Sequence, residues 1–245
     1  MLKGIHNQIN EADRIIMFYG RFLSWYDPMT LLKAFKRVIK KTSKIKLVFL
    51  GAAGEKGTEG KGLWGKIWNE IKDFKDQVIF LDWVKYNEIG NYLLEADIGV
   101  ITHLNTPESK YSLRIRALDF IKARIPLVVS DGGFVAELIK EQGGGLVVSP
   151  EDPDALARAI IRLINDKGKY EEAKNSLAKI AKKLEWQEIL KPLEKLCGEG
   201  NIKAPRRPGI LRMIRYYFIA TPLELLYYLF KFFESIFLRI NLINV

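Results

Sequence analysis

The stretch ADIGVITHLNTPESKYSLRIRALDFIKARIPLVVSDGG, residues 96–133, holds two short apolar runs separated by a charged, amphipathic segment. Residues 98–102 and 126–130 are rich in β-branched side chains and bounded by Asp97, Pro126 and Asp131-Gly132-Gly133. Each run reads as a strand buried on both faces, with a crossover helix between the two. A connection this long suits parallel neighbours, which a tight hairpin turn cannot join. The pattern extends outward. Further strands are expected at 15–19, 45–50, 78–81 and 146–148, and helices near 28–42, 64–74, 87–96, 112–123, 134–142 and 152–166. Pro28 suits a first helical turn, Ser112 can cap, and Asp152-Pro153-Asp154 combines a cap with a first-turn proline. Six β/α repeats in this order predict an α/β fold with a doubly wound, Rossmann-like parallel sheet.

Beyond this domain the character of the chain changes twice. Residues 169–198 continue as helix with an interruption near 184–187. Residues 201–209, with Pro205 and Pro208, read as a linker because periodicity vanishes. Residues 210–245 are crowded with Leu, Ile, Phe and Tyr. With 222–240 as a helix, Glu224, Lys231, Glu234, Ser235 and Arg239 fall on one stripe about 140° wide, and apolar side chains cover the rest. A membrane-spanning helix needs roughly 18 or more apolar residues with few charges; this tail is charged every few positions. It reads as C-terminal amphipathic helices lying on an anionic membrane surface, with Arg206, Arg207, Arg212 and Arg215 near the headgroups. Docking on the main domain or on another subunit is the alternative. The predicted organisation is therefore a domain at 1–200, a linker at 201–209 and a membrane-surface tail at 210–245.

The 245 residues carry a net charge of +10. Residues 205–245 hold six Lys/Arg and two Asp/Glu, which supplies +4 of it and leaves +6 for residues 1–204. A basic balance favours anionic partners. No zinc finger, basic zipper or RNP motif accompanies it, so nucleic acid is not expected. One cysteine and two histidines permit neither an internal disulfide nor a Cys/His zinc set. The first ten residues lack the apolar core of a signal peptide, so a cytoplasmic location, peripheral at the inner face of the plasma membrane, is the expectation.

In open parallel sheets a ligand lies beyond the carboxyl ends of the strands, at the switch in strand order. That rule nominates the loops. After the first strand, Gly20 allows close backbone approach and Arg21 can grip a phosphate, or stand as an ordinary surface arginine. The glycine-rich run 51–62 fails the P-loop pattern, since Lys61 precedes Gly62 rather than Ser or Thr. After the fourth strand come His103, Glu108, Lys110, Ser112, Arg114, Arg116 and Asp119. A helix opening at Ser112 would place Ser112, Arg116 and Asp119 on one face, with its amino end toward a diphosphate and a carboxylate toward a ribose diol. A plain cap with a surface Arg116–Asp119 pair is the alternative. His103 reads as an ordinary loop histidine more readily than as a general base. Asp131-Gly132-Gly133 suits an anion or a tight turn.

The ordered set of segments over about 14–198 resembles the C-terminal, donor-binding domain of GT4-type, GT-B fold retaining glycosyltransferases. It comprises a strand ending in Gly20-Arg21, then KLVFLG (46–51), VIFLDWV (78–84), ADIGV (96–100), PLVVSDGG (126–133), GGLVV (144–148) and DALA (154–157). The motifs at 25–30 and 112–119 resemble a subgroup concerned with surface polysaccharide sugars. The resemblance implies that Arg21 contacts the donor diphosphate and that Asp119, seven residues before Pro126, binds the nucleotide ribose. Trp83 and Val84 lie where the family's backbone reads the base. The family's other glutamate falls on Tyr111, with Glu108 the nearest carboxylate, and its lysine shortly after Gly-Arg is missing. No metal and no cofactor is implied, the nucleoside-diphosphate sugar being the donor substrate.

The expected activity is sugar transfer from that donor to a lipid- or polysaccharide-linked acceptor. Only 13 residues precede the region of resemblance at 14–198, whereas such enzymes carry an acceptor-binding domain of comparable size. Half an active site is thus expected, completed by a longer chain or by a separate acceptor-domain polypeptide. A non-catalytic, membrane-associated scaffold or regulatory subunit with a degenerate donor site is the alternative.

Overall fold

The computed structural model describes residues 2–52 and 61–198; the expected linker and tail at 201–245, and most of the glycine-rich run, lie outside them. Six strands, β1 (Arg14–Tyr19), β2 (Ile45–Leu50), β3 (Val78–Leu81), β4 (Ile98–Ile101), β5 (Leu127–Ser130) and β6 (Gly145–Val148), form one sheet in the order β3-β2-β1-β4-β5-β6. Every pairing is parallel. The order reverses between β1 and β4, which makes their carboxyl ends the switch point.

Alternation along β1 explains the layers. Ile16 and Phe18 face one side and pack with Leu31 and Phe35 of α1 (Pro28–Val38), Ile67 of α2 (Lys61–Ile71) and Ile160 of α7 (Pro153–Asn165). Ile15 and Met17 face the other, against Phe120 of α5 (Arg116–Lys122), Val135 and Ile139 of α6 (Gly133–Gln142) and Leu177 of α8 (Lys167–Lys183). Sheet residues buried on both sides cannot alternate with polar ones, which is why the strands were near-continuous apolar runs. Short helices α3 (Ile89–Leu93), α4 (Pro107–Tyr111) and α9 (Trp186–Ile189) complete this unit, which spans Met1–Ile189; α10 (Lys191–Gly198) belongs to a second unit, 190–245.

Two expected helix starts are borne out. The Asp27 carboxylate accepts from the Thr30 amide at 2.9 Å ahead of Pro28. Asp152 accepts from Asp154 and Ala155, at 3.0 and 2.8 Å, ahead of Pro153.

The helix expected at 112–123 is not formed as one piece. α4 comes first, capped by Thr106, whose hydroxyl accepts from the Ser109 amide at 3.2 Å. Ser112 is the residue that ends α4, its amide donating to the Glu108 carbonyl, and residues 112–115 are non-helical before α5 begins at Arg116. The cause lies in Arg114. Its backbone stands at φ +52°, a left-handed conformation no helix accommodates. The side chain so directed is buried and donates to the Ser130 carbonyl at 2.7 Å and the Ser109 carbonyl at 3.2 Å. A long-range bond to the end of β5 thus overrides the local helical pattern.

Candidate functional site

The loops after β1 and β4 are tied together before any ligand is considered. The Asp27 amide donates to the Thr102 carbonyl, the Thr102 hydroxyl donates to the Asp27 carbonyl at 2.7 Å, and the Leu104 amide donates to the Trp25 carbonyl. Tyr26 and His103 meet as an isolated antiparallel bridge with ring centroids 4.7 Å apart. The switch-point crevice therefore has a fixed wall.

Arg116 occupies the space above Gly20. That glycine stands at φ +124°, and a Cβ there would lie 2.2 Å from the Arg116 guanidinium carbon. The guanidinium donates to the Tyr26 hydroxyl and sits over the rings of Tyr26 and Tyr19, at 5.3 and 5.9 Å from their centroids. Aromatic faces attract a cation without neutralising it as a carboxylate would, and among the described residues no carboxylate pairs with Arg116. Arg21, next in sequence to Gly20, lies 5.3 Å over the ring of Trp83. Trp83 is 45% exposed, and its ring approaches to within 3.4 Å of where a side chain at Gly51 would begin. Val84 is half-buried behind it in the core.

Asp119 lies one turn along α5 from Arg116, half-buried. It lines a cleft of about 380 Å³ with Tyr86, Asn87, Gly90, Leu93 and Lys122. Burial holds its carboxyl above the ordinary value, with Lys122 and Arg116 pulling the other way. Burial, then the Asp119 charge, likewise raises the Tyr19 hydroxyl. Gly20, Arg116, Asp119 and His103 are thus neighbours through Tyr19 and Tyr26, while Arg21, Trp83 and Val84 form an adjoining wall.

The remaining expectations sort differently. Ser112 does not open a helix; its hydroxyl oxygen is buried with no hydrogen-bond partner among the described residues. The expected placement of a diphosphate at a helix end there falls away, because no helix begins at Ser112. Glu108 is exposed on α4, and its charge is felt at Tyr26 and Arg114. Tyr111 is 89% exposed. His103 is 2% exposed, and burial, reinforced by Arg114 and Arg116, pulls its pKa down to about 3. Asp131-Gly132-Gly133 makes a tight turn. The Asp131 carboxylate is held by Lys140 at 2.6 Å and by the Gly132 amide at 2.7 Å, and a Cβ at Gly133 would meet the Ser109 and Ser112 carbonyls at 2.9 Å.

Sequence reasoning missed Tyr19 and Tyr26, and it named Arg114 in the loop after the fourth strand without giving it a role. Tyr26 stands beside Asp27-Pro28, a recognisable helix start, and an aromatic fixed at a helix entry next to the switch point was the available signal. Arg114 gave none, since nothing local marks an arginine that reaches across to β5.

The family model described as glycosyl transferases group 1 matches residues 5–184. An uncharacterized glycosyltransferase of Methanocaldococcus jannaschii is 26% identical over 190 residues, covering 75% of this chain and 44% of that protein. The chain spans less than half the length of the curated relatives it matches. Among solved structures it is similar in fold to Anabaena HepE in complex with UDP-glucose, with a TM-score of 0.62, 17% identity, and coverage of 77% of this chain and 49% of that one. It is similar also to the C-terminal domain of the group 1 family protein LpcC of Francisella tularensis, with a TM-score of 0.60, 19% identity, and coverage of 70% and 85%.

Proposed function

The chain belongs to the group 1 glycosyl transferases, and from that premise we propose that it is the donor-binding half of a GT4-type enzyme. That enzyme moves a sugar from a nucleoside-diphosphate sugar to a lipid- or polysaccharide-linked acceptor at the cytoplasmic membrane face. The observation that carries this reading is Arg116 poised over Gly20 at the switch point, with Arg21 beside it and Asp119 one turn further along α5. On this reading Arg116, over Gly20, and Arg21, next in sequence to that glycine, stabilise the charge that the leaving diphosphate gains. Asp119 offers acceptor oxygens to a ribose diol. UDP is the first nucleotide to test, because HepE is similar in fold and its complex holds UDP-glucose.

Calorimetry with UDP is expected to show binding that Asp119→Ala weakens about tenfold or more, the loss of a hydrogen bond to a charged group being on the order of 1.5–3 kcal/mol. No heat with UDP, GDP or ADP, or an unchanged affinity in Asp119→Ala, would remove the site assignment.

The curated relatives are more than twice as long as the matched region, so catalysis on this reading needs an acceptor domain from the rest of a longer chain or from a second polypeptide. Tyr111 favours the other reading, a scaffold with a degenerate donor site, since it stands exposed where the family resemblance puts a carboxylate. Co-expression with an acceptor domain separates the two: sugar transfer by the pair excludes a purely structural role.

The membrane part of the proposal rests on the sequence of 205–245. Flotation with anionic liposomes is expected for the full chain and lost on deleting those residues. A deletion that still floats would transfer membrane binding to the domain.

A further inference from the structure

A second cleft, of about 430 Å³, flanks β3 from its amino end. β3 is the last strand of the sheet, so its outer edge has no partner strand among the described residues. The cleft wraps that edge: Trp64, Trp68 and Phe80 line it from one side of the sheet and Ile79 belongs to the core of the other. Trp64 and Trp68 are one helical turn apart on α2, with ring centroids 6.2 Å apart and planes within 29°. Both rings also pack on Phe80, at 5.2 and 5.7 Å. Trp64 is 7% exposed, whereas Trp68 keeps 49% of its surface open. Polar groups of mixed kind complete the lining: His6, the Gln8 amide, and Lys75 beside Asp76.

Three features select the occupant. The volume falls within the range of small-molecule sites, about 300–1,000 Å³, rather than being the broad face a protein interface buries. Lys75 and Asp76 carry opposite charges, which gives no preference for a phosphate or an anionic lipid. A half-exposed indole beside donors and acceptors of both kinds matches a ring that is apolar on its faces and hydroxylated on its rim. We propose that this cleft is a second carbohydrate site, seating a neutral pyranose unit of a saccharide chain on Trp68. It is separate from the switch-point crevice and independent of whether that crevice binds a donor. Its use would be to hold a saccharide chain alongside the domain, raising its effective concentration near the enzyme.

The test uses the full 245-residue chain and three neutral probes, maltohexaose, cellohexaose and chitohexaose, followed by tryptophan emission. At least one hexaose is expected to shift the emission saturably. By calorimetry, which does not need the tryptophan as reporter, Trp68→Ala should weaken that binding about tenfold, while Trp68→Phe, which keeps an aromatic face, should retain part of it. Trp68 is half exposed, so the variant should keep the native urea midpoint, and UDP titrations should be unchanged by it. Loss of UDP binding in the native chain would strike the donor reading and leave this one standing. The proposal is overturned if none of the hexaoses shifts the emission, if calorimetry finds the affinity unchanged in Trp68→Ala, or if sedimentation shows a dimer that Trp68→Ala splits. The last result would mean that a second copy covers the tryptophan.

Discussion

Arg114→Met is expected to lower the stability of the domain by ~3–5 kcal/mol in urea unfolding, far more than an ordinary arginine substitution. A surface arginine costs little to remove, whereas this one is 7% exposed and donates to two carbonyls, those of Ser130 and Ser109. Hydrogen bonds from a charged donor are worth roughly 1.5–3 kcal/mol each, and their loss leaves buried acceptors unpaired. Methionine fills much of the space, so the measured loss reports the polar bonds rather than a cavity. Lysine recovers little, because a single ammonium cannot reach two carbonyls with the fixed fork of a guanidinium. The same variant should weaken UDP binding, since residues 112–115 set where α5 begins and hence where Arg116 points. A loss below about 1 kcal/mol, small for a buried hydrogen-bonded group, would mean that the bonds to Ser130 and Ser109 do not organise the link.

The contrast between Arg114 and the strands shows what was legible from residues alone. The strands could be read because burial of the sheet's two faces demands short apolar runs, fully buried along β4 and β5, nearly so in β1 and β2 and only partly in β3 and β6. Asp27-Pro28 and Asp152-Pro153 announced their helices because a cap and a first-turn proline act within three residues. The break at 112–115 could not be read the same way. Ser112 is as good a helix start as Thr106, and the choice between them falls to a guanidinium that bonds a carbonyl sixteen residues further on. The crevice is likewise built from separations that local pattern does not span. Tyr26 meets His103 and Arg116 only because β1 and β4 are neighbours in the sheet. Naming the loops was possible from the switch-point rule; naming Arg116, rather than a helix end at Ser112, as the group over Gly20 required the packing.

His103 carries the second large expectation, a loss of stability in mild acid. Its pKa is depressed from 6.5 to about 3 in the folded chain, chiefly by burial and then by Arg114 and Arg116. The unfolded chain therefore takes up this proton at about pH 6.5 and the folded chain does not until about pH 3. Stability from this residue is full above the unfolded value and falls as pH drops through that window, by about 2 kcal/mol at pH 5 and on the order of 4 kcal/mol near pH 3. Urea unfolding of the native chain and of His103→Gln at pH 7 and pH 5 isolates the term, because every other titrating group is common to both. The native chain should lose about 2 kcal/mol more than the variant between the two pH values. Parallel losses would mean that the imidazole is solvated or protonated in the fold. The same depression bears on chemistry at the crevice. An imidazole whose conjugate acid has a pKa near 3 is a feeble proton acceptor at neutral pH, which argues against His103 as a general base. It remains uncharged between Tyr26 and the two arginines, so its own titration adds no charge beside Gly20 between pH 5 and pH 8.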